Sequence, residues 1–306
     1  MAEGNEKREF RELLNPDFGY FYTIDKTLYK GKTKFQNIEM VHSPEFGNTL
    51  LLDNITQVVE KNEYQYHEPM VHPSMCCHPK PRDVLVIGGG DGGILREVLK
   101  YPTVRHVDFA ELDAEVVDFS RKYLAKMNQK SFDDNRVVIN IVDGRRFVEE
   151  HTGAYDIVIM DMTDPFGPSK FLYTKEFFAA VKKALRGPEG IFTMHTESPI
   201  SRPVVFNSIA KTLGSVFTNV EILYTYIQMY AVLWSIGVCS DGERVRRSSA
   251  AVVNRKLARY GIDNLKVFTG DTFAAMKTKY PYIDAILKKR ARVITDKRPD
   301  FPVKIV

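Results

Sequence analysis

The sequence predicts an α/β protein, in which a Rossmann-like, doubly wound sheet follows a small N-terminal β domain. Apolar and polar residues alternate through the first quarter of the chain, as they do in half-buried strands. From Val84 onward, short apolar runs alternate with helical stretches, which is typical of a parallel sheet covered by helices on both faces. A glycine-rich turn, Gly88–Gly93, follows the first of these runs and marks the start of that sheet.

Composition and charge limit the classes of function. The length of 306 residues suits one medium α/β domain with a smaller appendage. The net charge of +4 is spread along the chain, so we expect no nucleic-acid partner. No apolar run approaches the ~20 residues of a membrane span, and the opening MAEGNEKREFRE is charged where a secretory signal is apolar. We therefore expect a cytoplasmic protein without a membrane partner, whose few cysteines are buried and reduced.

Residues 1–77 are predicted to form the N-terminal β-rich domain. Three stretches alternate apolar and polar residues in the manner of strands: YFYTID, KFQNIEMVHS and NTLLLDNITQVVE. Turn residues separate them at Tyr29–Lys32, Pro44–Gly47 and Asp53–Asn54. The HPKPRD segment, residues 78–83, is predicted to lead into the second domain.

The second domain, residues 78–306, opens with four apolar runs that are predicted to be parallel strands: VLVIGGG, VRHVDFAELD, VVINIVDG and YDIVIMD. Helical stretches such as GILREVLKY and AEVVDFSRKYLAKM separate these runs. After a further helix, GIFTMHT continues the sheet, and VEILYTYIQMYAVLWSIGVCS is predicted to close it with an antiparallel pair. The remainder, from Asp241, is predicted to be a short helical and irregular tail.

The turn Gly88-Gly-Gly90-Asp-Gly-Gly93 satisfies the pattern GxGxxG. Dinucleotide-binding folds and methyltransferase-like folds share this pattern, so by itself it is a weak signal. Gly88 and Gly90 let the backbone pass close to a ligand, which makes both residues candidates for contact with a bound nucleoside. The alternative is a tight strand-to-helix turn without a ligand.

Acidic residues follow each of the four predicted parallel strands: Asp91, Glu111 with Asp113, Asp143, and Asp161. Ligands of open α/β sheets bind at the carboxyl edge, where we expect these acids to converge. Glu111 follows the glycines at roughly the 20-residue spacing of an acceptor for ribose hydroxyl groups. Asp91 would repel a pyrophosphate, whereas a sulfonium nucleoside and an amine are both cations. The charge pattern therefore favours two cationic ligands over a dinucleotide.

The fourth strand ends in Asp161-Met-Thr-Asp164-Pro-Phe-Gly-Pro168. Its two carboxylates, in a loop stiffened by prolines, can both face one pocket. An alkylammonium, with a pKa near ~10.4, must lose its proton before its nitrogen can act as a nucleophile. One carboxylate can accept that proton while the other positions the amine. The alternative is a solvated Asp-Pro turn, which the position at the end of a sheet strand disfavours.

These motifs resemble those of the spermidine synthases, which are polyamine aminopropyltransferases. The resemblance is carried by IGGGDGGILREV, FAELD, VDGRRFV and DMTDPFGPSKFLYTKEFF, and upstream by LLLDNITQVVEKNEYQYHEPMVH. It implies that the N-terminal β domain mediates assembly, as a homodimer or homotetramer, and forms part of the active-site wall. It also implies decarboxylated S-adenosylmethionine as co-substrate, putrescine as acceptor, and 5'-methylthioadenosine and spermidine as products. We expect no metal and no further cofactor.

The resemblance also implies roles for individual residues. Asp161 matches the general base, Glu111 the ribose acceptor, and Asp143 with Gly144 the adenine site. The other positions that match the nucleoside site are Gln36 and Pro168. The positions that match the substrate site are Gln57, Tyr66, His67, Asp91 and Asp164. Glu197, after the fifth strand, either adds another acid to this site or lies exposed in a loop.

Two departures from the family pattern concern the amine site. Many relatives carry a Tyr-Pro-Ser-Gly turn between the last strands, and its tyrosine lines the amine site. Here the segment Tyr230-Ala-Val-Leu-Trp234 lacks the proline and glycine, so Tyr230 can keep that role only in a turn of different shape. The family also often has a tryptophan where this chain has Phe10. The sequence therefore determines the identity of the aminopropyl donor better than the identity of the amine acceptor.

Rival functions remain open at this point. An acceptor other than putrescine, such as spermidine, cadaverine or agmatine, would give a spermine or thermospermine synthase type or another transferase. Amine N-methyltransferases share the scaffold and the DxxD motif. A catalytically weak subunit that activates a partner enzyme is disfavoured by the intact Asp161, Asp164 and Glu111, and a dinucleotide oxidoreductase is disfavoured by Asp91.

Overall fold

The N-terminal part of the chain forms six antiparallel strands. The computed structural model describes residues 7–302. A two-stranded hairpin precedes a four-stranded sheet whose strands follow chain order. The hairpin consists of β1 (Arg8–Asn15) and β2 (Phe18–Ile24), and the sheet of β3 (Lys26–Lys32), β4 (Asn37–Ser43), β5 (Gly47–Leu52) and β6 (Ile55–Val59).

Two of the three predicted turns of this region are confirmed. Gly47, the first residue of β5, has φ of +74°. Asp53 and Asn54, with φ of +47° and +62°, join β5 to β6. The turn predicted at Tyr29–Lys32 is wrong, because these residues belong to β3. The Tyr29 side chain lies over Gly31, since a methyl group on this glycine would lie 2.4 Å from the Tyr29 hydroxyl oxygen.

Helix α1 (Tyr64–Cys77) follows β6, although the sequence analysis placed residues 1–77 in a β-rich domain. Its residues from Tyr66 onward are buried, so the helix has no polar face and shows no 3.6-residue apolar stripe. Pro69 and Pro73 lie inside it, which also disfavoured a helix. The helix contacts α2 and strands of the central sheet introduced below. It therefore packs with the second domain, whereas the sequence analysis placed it in the first.

The second domain contains a seven-stranded, mostly parallel sheet, which confirms the predicted Rossmann-like α/β fold. Its strands are β7 (Asp83–Gly88), β8 (His106–Glu111), β9 (Val137–Ile141), β10 (Ile157–Asp161), β11 (Ile191–His195), β12 (Asn219–Ile227) and β13 (Val232–Ser240). The spatial order is β12-β13-β11-β10-β7-β8-β9. Strand β13 is antiparallel to both of its neighbours, as predicted for the closing pair.

Helices cover the sheet and form the tail. Those between strands are α2 (Gly93–Leu99), α3 (Ala114–Tyr123), α4 (Ala125–Asn128), α5 (Gly144–Glu149), α6 (Lys175–Ala184) and α7 (Pro203–Gly214). Those of the tail are α8 (Arg244–Arg247), α9 (Ala250–Arg259), α10 (Gly270–Met276) and α11 (Pro281–Lys288). No helix among residues 7–302 has the length and apolar character needed to cross a bilayer.

The central strands are buried on both faces. Along β7, Leu85 and Ile87 pack into one hydrophobic core, while Val84 and Val86 pack into the other. This double burial explains why the strands appear in the sequence as continuous apolar runs rather than as alternating ones. A rigid sheet of this kind holds the loops at its carboxyl edge in fixed positions. Cys76, Cys77 and Cys239 are buried free thiols.

Candidate active site

The candidate site lies at the carboxyl edge of the large sheet. Strands β7 and β10 are parallel neighbours, and their register pairs Gly88 with Asp161. The Gly89 amide donates a 2.8 Å hydrogen bond to the Asp161 carbonyl oxygen, which ties the glycine turn to the end of β10. Glu111 ends β8 on the other side of β7. The strand ends thus place the glycine turn between Glu111 and Asp161.

Two glycines of the turn allow close approaches that a side chain would prevent. Gly88 has φ of +73°, and a methyl group on it would lie 2.2 Å from the Asp161 carbonyl oxygen. A methyl group on Gly93 would lie 2.2 Å from Cε1 of His67. The sequence analysis singled out Gly88 and Gly90 as ligand contacts. The structure adds that Gly93 makes room for the imidazole ring of His67.

Asp161, the predicted general base, ends β10 in a partly buried position. The Tyr66 hydroxyl donates a 2.7 Å hydrogen bond to Asp161 Oδ1. Oδ2 has no hydrogen-bond donor among the described residues, and it lies only 3.1 Å from where a methyl group on Gly89 would be. Burial, together with the charge of Asp91, raises the pKa of Asp161 to about 6, although His67 and Tyr66 oppose this rise. A carboxylate of this proton affinity is suited to general-base catalysis.

His67 connects two carboxylates next to Asp161. Its Nδ1 lies 2.6 Å from the Glu63 carboxylate, and its Nε2 lies 3.5 Å from Asp91 Oδ2. Asp91 Oδ1 accepts a 2.6 Å hydrogen bond from the Gly93 amide. Burial lowers the pKa of His67, but the charges of Asp91 and Glu63 outweigh burial and raise this pKa to about 10. His67 is therefore an imidazolium at neutral pH that holds Asp91 in place.

A buried chain of charged groups supports His67 from behind. Arg96 donates hydrogen bonds of 2.9 and 2.8 Å to the two oxygens of Glu63, and its Nε donates to Glu97 at 2.8 Å. Glu97 Oε2 also lies 2.8 Å from His72 Nε2. Burial raises the pKa of Glu63, but His67 and Arg96 outweigh it and lower this pKa to about 2. Each charge in the chain has a partner, which is the condition for stable buried ions.

The sequence analysis did not single out this supporting chain. Glu63 and His67 are four residues apart at the start of a helix, and this spacing is a signal for a side-chain pair. This spacing could not be used as a signal, because the sequence analysis did not predict the helix. Arg96 gives no such signal, since 33 residues separate it from Glu63.

The ligand atoms of His67, Asp91 and Asp161 lie within 4.8 Å of one another, a spacing compatible with a metal ion. An imidazolium has no lone pair to offer a metal, and both ring nitrogens of His67 already face carboxylates. Two carboxylates and one imidazolium leave a net negative charge. The two carboxylates therefore present hydrogen-bond acceptors of the kind that an ammonium ion needs.

Glu111 lies on the other side of the glycine turn. Its Oε1 accepts a 2.9 Å hydrogen bond from the Asp113 amide, and burial raises the pKa of Glu111 to about 7. A methyl group on Gly90 would lie 3.2 Å from Glu111 Oε2, so the turn passes directly beside this carboxylate. Thr33 donates a 2.6 Å hydrogen bond to Asp113, and the same loop carries Gln36. The N-terminal part of the chain thereby reaches the edge of the sheet at Glu111.

The remaining residues predicted for the nucleoside site lie after β9 and β10. Asp143 is exposed and caps α5, because its carboxylate accepts a 3.1 Å hydrogen bond from the Arg146 amide. A methyl group on Gly144 would lie 2.5 Å from Ile87 Cγ2, so only glycine lets α5 approach β7 so closely. Pro168 is exposed in a short 3₁₀ helix beyond Asp161. Contact of these residues with a nucleoside stays a prediction.

The turn between β12 and β13 is the segment that lacks the proline and glycine of the family pattern. It consists of a 3₁₀ turn at Gln228–Tyr230 followed by Ala231, which has φ of +52°. The Tyr230 ring contacts Tyr66 edge to face, with centroids 6.1 Å apart at 81°. The Tyr230 hydroxyl lies 3.5 Å from the carbonyl oxygen of Gln57. Tyr230 thus contacts both the backbone of Gln57 and the ring of Tyr66, whose hydroxyl group donates to Asp161.

The hairpin of β1 and β2 adds an acid that the sequence analysis did not identify. Phe10 is buried and packs against Tyr22, with ring centroids 5.1 Å apart. Glu12, on the same strand, accepts a 2.9 Å hydrogen bond from the Thr56 amide. Burial raises the pKa of Glu12, and the charge of Asp164 adds to this rise. Glu12 therefore lies within the electrostatic field of the acids at the sheet edge.

Asp164 forms an ion pair with Arg202, which the sequence analysis did not foresee. Arg202 also lies 3.2 Å from the Glu197 carboxylate. Glu197 is 0% exposed, so the alternative of an exposed loop acid is wrong. Arg202 could not be linked to Asp164 from sequence, because 38 residues separate them and no motif joins them. The predicted amine site therefore contains a cation as well as carboxylates.

Together, the fold and the site define a transferase of the Rossmann-like class. Residues 63–249 match the family model of the spermine/spermidine synthase domain, and residues 10–60 match that of the spermidine synthase tetramerisation domain. The chain belongs to the spermine/spermidine synthase family. The prediction that it is an aminopropyltransferase is thereby confirmed.

Relatives and solved structures agree with this assignment. A polyamine aminopropyltransferase of Nitrosomonas europaea is 35% identical over 93% of this chain and 87% of its own. Polyamine aminopropyltransferase 1 of Aquifex aeolicus is 41% identical over 76% of this chain and 82% of its own. The crystal structure of Thermotoga maritima spermidine synthase is 30% identical, with a TM-score of 0.86 over 94% of this chain and 96% of that one. A spermidine synthase in complex with the transition state analogue AdoDATO gives a TM-score of 0.87, at 30% identity over 94% of this chain and 97% of that one.

Proposed function

We propose that the chain transfers the aminopropyl group of decarboxylated S-adenosylmethionine to putrescine, and releases 5'-methylthioadenosine and spermidine. The observation that carries this proposal is the Asp161 carboxylate. One of its oxygens is held by the Tyr66 hydroxyl at 2.7 Å, while the other has no donor among the described residues. With a pKa raised to about 6, Asp161 is ionised at neutral pH and can accept a proton from the attacking amine.

The reaction is an in-line displacement. The lone pair of the amine nitrogen forms a bond to the aminopropyl carbon next to the sulfonium sulfur, and the carbon–sulfur bond breaks toward sulfur. 5'-Methylthioadenosine leaves as a neutral thioether, and the proton lost by the nitrogen passes to Asp161. Bringing both reactants into this geometry supplies much of the rate enhancement. The protein needs no group that stabilises a developing anion, because the sulfonium charge disappears as the bond breaks.

The two sides of the glycine turn suit the two substrates. Glu111 offers carboxylate oxygens to the ribose hydroxyl groups of the donor, and no cationic side chain is needed there, since this donor has no phosphate. Asp91, held by His67 at 3.5 Å, faces the amine side next to Asp161. We propose that donor and acceptor suffice for turnover, without a metal or a further cofactor.

We also propose that the chain assembles into a homodimer or homotetramer through its N-terminal β domain. The match of residues 10–60 to a tetramerisation domain supports this proposal. The hairpin exposes three large apolar side chains, Leu13 (52%), Phe18 (49%) and Phe21 (66%), which assembly would cover. Light scattering coupled to size-exclusion chromatography distinguishes a monomer, which would contradict the proposal, from both assemblies. The cytoplasmic location stays a prediction.

The decisive experiment offers the purified chain putrescine together with either decarboxylated S-adenosylmethionine or S-adenosylmethionine. Mass spectrometry then distinguishes spermidine, the expected product, from N-methylputrescine, which an amine N-methyltransferase would form. Competition among putrescine, cadaverine, agmatine and spermidine identifies the preferred acceptor, and preference for spermidine would indicate the spermine or thermospermine synthase type. Failure of the purified chain to transform any of these amines would contradict the proposal.

A further inference from the structure

A single arginine connects two carboxylates beyond the base. Arg202 lies immediately before α7, and its Nη1 donates to Asp164 and, at 3.2 Å, to both carboxylate oxygens of Glu197. Its Nε donates a 3.0 Å hydrogen bond to the Leu14 carbonyl oxygen in the hairpin. The guanidinium carbon lies 5.4 Å from the centre of the Phe166 ring. These contacts on four sides fix the guanidinium between the loop after β10 and the N-terminal hairpin.

The guanidinium lies on the amine side of the site. Asp164 follows the base Asp161 by three residues, on the loop that leads away from β10. The Tyr230 ring contacts the ring of Tyr66, whose hydroxyl group donates to Asp161, and Phe166, which packs against the guanidinium, follows Asp164 on the same loop. An acceptor whose attacking nitrogen is at Asp161 and whose chain follows this loop extends past Tyr230 toward Asp164.

The negative charge around Arg202 is largely compensated, so little of it is available to attract a further cation. Arg202 is only 12% exposed, and it offsets the charge of Asp164, which is 27% exposed. Glu197 is fully buried, so an acceptor cannot contact its carboxyl group, and burial, together with the charge of Asp164, raises its pKa. Asp164 thus has no free charge for a further ammonium group, and a second ammonium group near it would face the guanidinium.

We infer that Arg202 is a specificity-determining residue that restricts the acceptor to diamines and excludes triamines. This inference rests on the proposed function and extends it to the class of the acceptor. A diamine brings one ammonium group beyond the attacking nitrogen, and Glu12 remains available to attract it. A triamine brings two, and one of them meets the fixed positive charge of Arg202. Discrimination by an unfavourable charge against the wrong ligand is a general means of specificity.

The test compares kcat/KM for spermidine with kcat/KM for putrescine in Arg202→Met, which removes the charge but keeps most of the side-chain length. We expect the ratio of spermidine to putrescine to rise at least about tenfold, since a like charge in a partly desolvated cleft is removed. Arg202→Lys is the matched control, because it keeps the positive charge although it loses the planar fork of donors. Since the charge is the term under test, its ratio should stay within about threefold of the wild-type ratio. Arg202→Gln, which retains hydrogen-bond donors, replaces the methionine variant if that variant does not fold.

A double variant identifies the origin of the effect. In Asp164→Asn/Arg202→Met, the carboxylate that the arginine had neutralised is also removed, so we expect the gain for spermidine to be lost. Equal binding of 5'-methylthioadenosine by all variants shows that the donor side is intact. A ratio within threefold of wild type in Arg202→Met, or in Arg202→Gln where it replaces that variant, would overturn the inference, as would a gain that survives removal of Asp164. If the wild-type chain transfers an aminopropyl group to no amine, the proposed function fails, and the inference fails with it.

Discussion

Asp161→Asn is expected to impair catalysis and to stabilise the protein at the same time. The substitution removes the group that accepts the proton, so turnover should fall by roughly 10²–10⁴-fold, as is typical for the loss of a general base. It also removes a buried negative charge near Asp91, while the amide oxygen can still accept the 2.7 Å hydrogen bond from Tyr66. The two effects have the same origin, because the burial that raises the pKa of the base also makes its ionised form unfavourable.

The size of the stabilisation follows from the pKa of Asp161. Burial and the charge of Asp91 raise this pKa from its ordinary value of 3.8 to about 6. Each tenfold change in proton affinity is worth about 1.4 kcal/mol, so ionising Asp161 at neutral pH costs the folded state up to about 3 kcal/mol. Solvent at its partly exposed edge screens some of this cost. We therefore expect Asp161→Asn to raise the free energy of unfolding by about 1–3 kcal/mol at pH 8.

The pH dependence of this gain has a definite sign. The folded-state pKa of Asp161 is higher than the unfolded-state pKa, so the cost of ionisation is fully present well above pH 6. It decreases as the pH falls through about 6, because the folded state then takes up a proton before the unfolded state does. The difference in stability between variant and wild type should therefore shrink to about half between pH 8 and pH 5.

Urea unfolding at pH 8 and pH 5 measures the stability difference, and the initial rate of spermidine formation measures turnover. Asp118→Asn is a matched control, since Asp118 is an exposed acid on α3, and neither quantity should change appreciably. Near-normal turnover in Asp161→Asn would remove Asp161 from the role of base. A variant that loses turnover without a gain in stability at pH 8 would refute the electrostatic account of the raised pKa.

Three further substitutions test other parts of the site. Tyr66→Phe removes the hydrogen bond that lowers the pKa of the base, so the acid limb of the kcat/KM profile should move to higher pH; an unmoved profile would limit Tyr66 to packing. Gly93→Ala places a methyl group 2.2 Å from the ring of His67 and should lower both amine affinity and the free energy of unfolding, the latter by about 1–3 kcal/mol in denaturant titrations. Gly214→Ala, where a methyl group meets nothing within 4 Å, is the control and should change stability by less than about 1 kcal/mol, towards greater stability. Glu111→Gln should raise the Kd of 5'-methylthioadenosine about 10- to 100-fold in calorimetry at pH 8, above the pKa of Glu111, because a hydrogen bond to a charged group is worth about 1.5–3 kcal/mol. Unchanged binding would place the ribose elsewhere.

The succession of strands along the chain and the acidic residues that follow them were predictable from sequence, because each of these signals is local. A strand buried on both faces appears as a short apolar run, and the residue that ends it appears next in the chain. Asp161 and Glu111 could be placed at one sheet edge without coordinates, because parallel strands share their carboxyl edge. The glycine turn was likewise recognisable, although the need for Gly93 depends on His67, which lies on another helix.

Helix α1 shows where local signals fail. It is buried on all sides and contains Pro69 and Pro73, so neither its periodicity nor its composition is helical. Its stability comes from packing against the large sheet, and intrinsic propensity is a weak guide when tertiary contacts dominate. The same failure concealed the pair of Glu63 and His67, because their spacing has meaning only on a helix.

The sequence by itself determined the fold class, the family and the residues that lie at the ends of the parallel strands. Only the tertiary structure decided which charges are paired. It placed Arg202 between Asp164 and Glu197, and it made His67 an imidazolium between Glu63 and Asp91. The physical reason is that charge pairing and burial depend on distances between residues far apart in the chain. Those distances set the pKa of Asp161, and a linear sequence does not contain them.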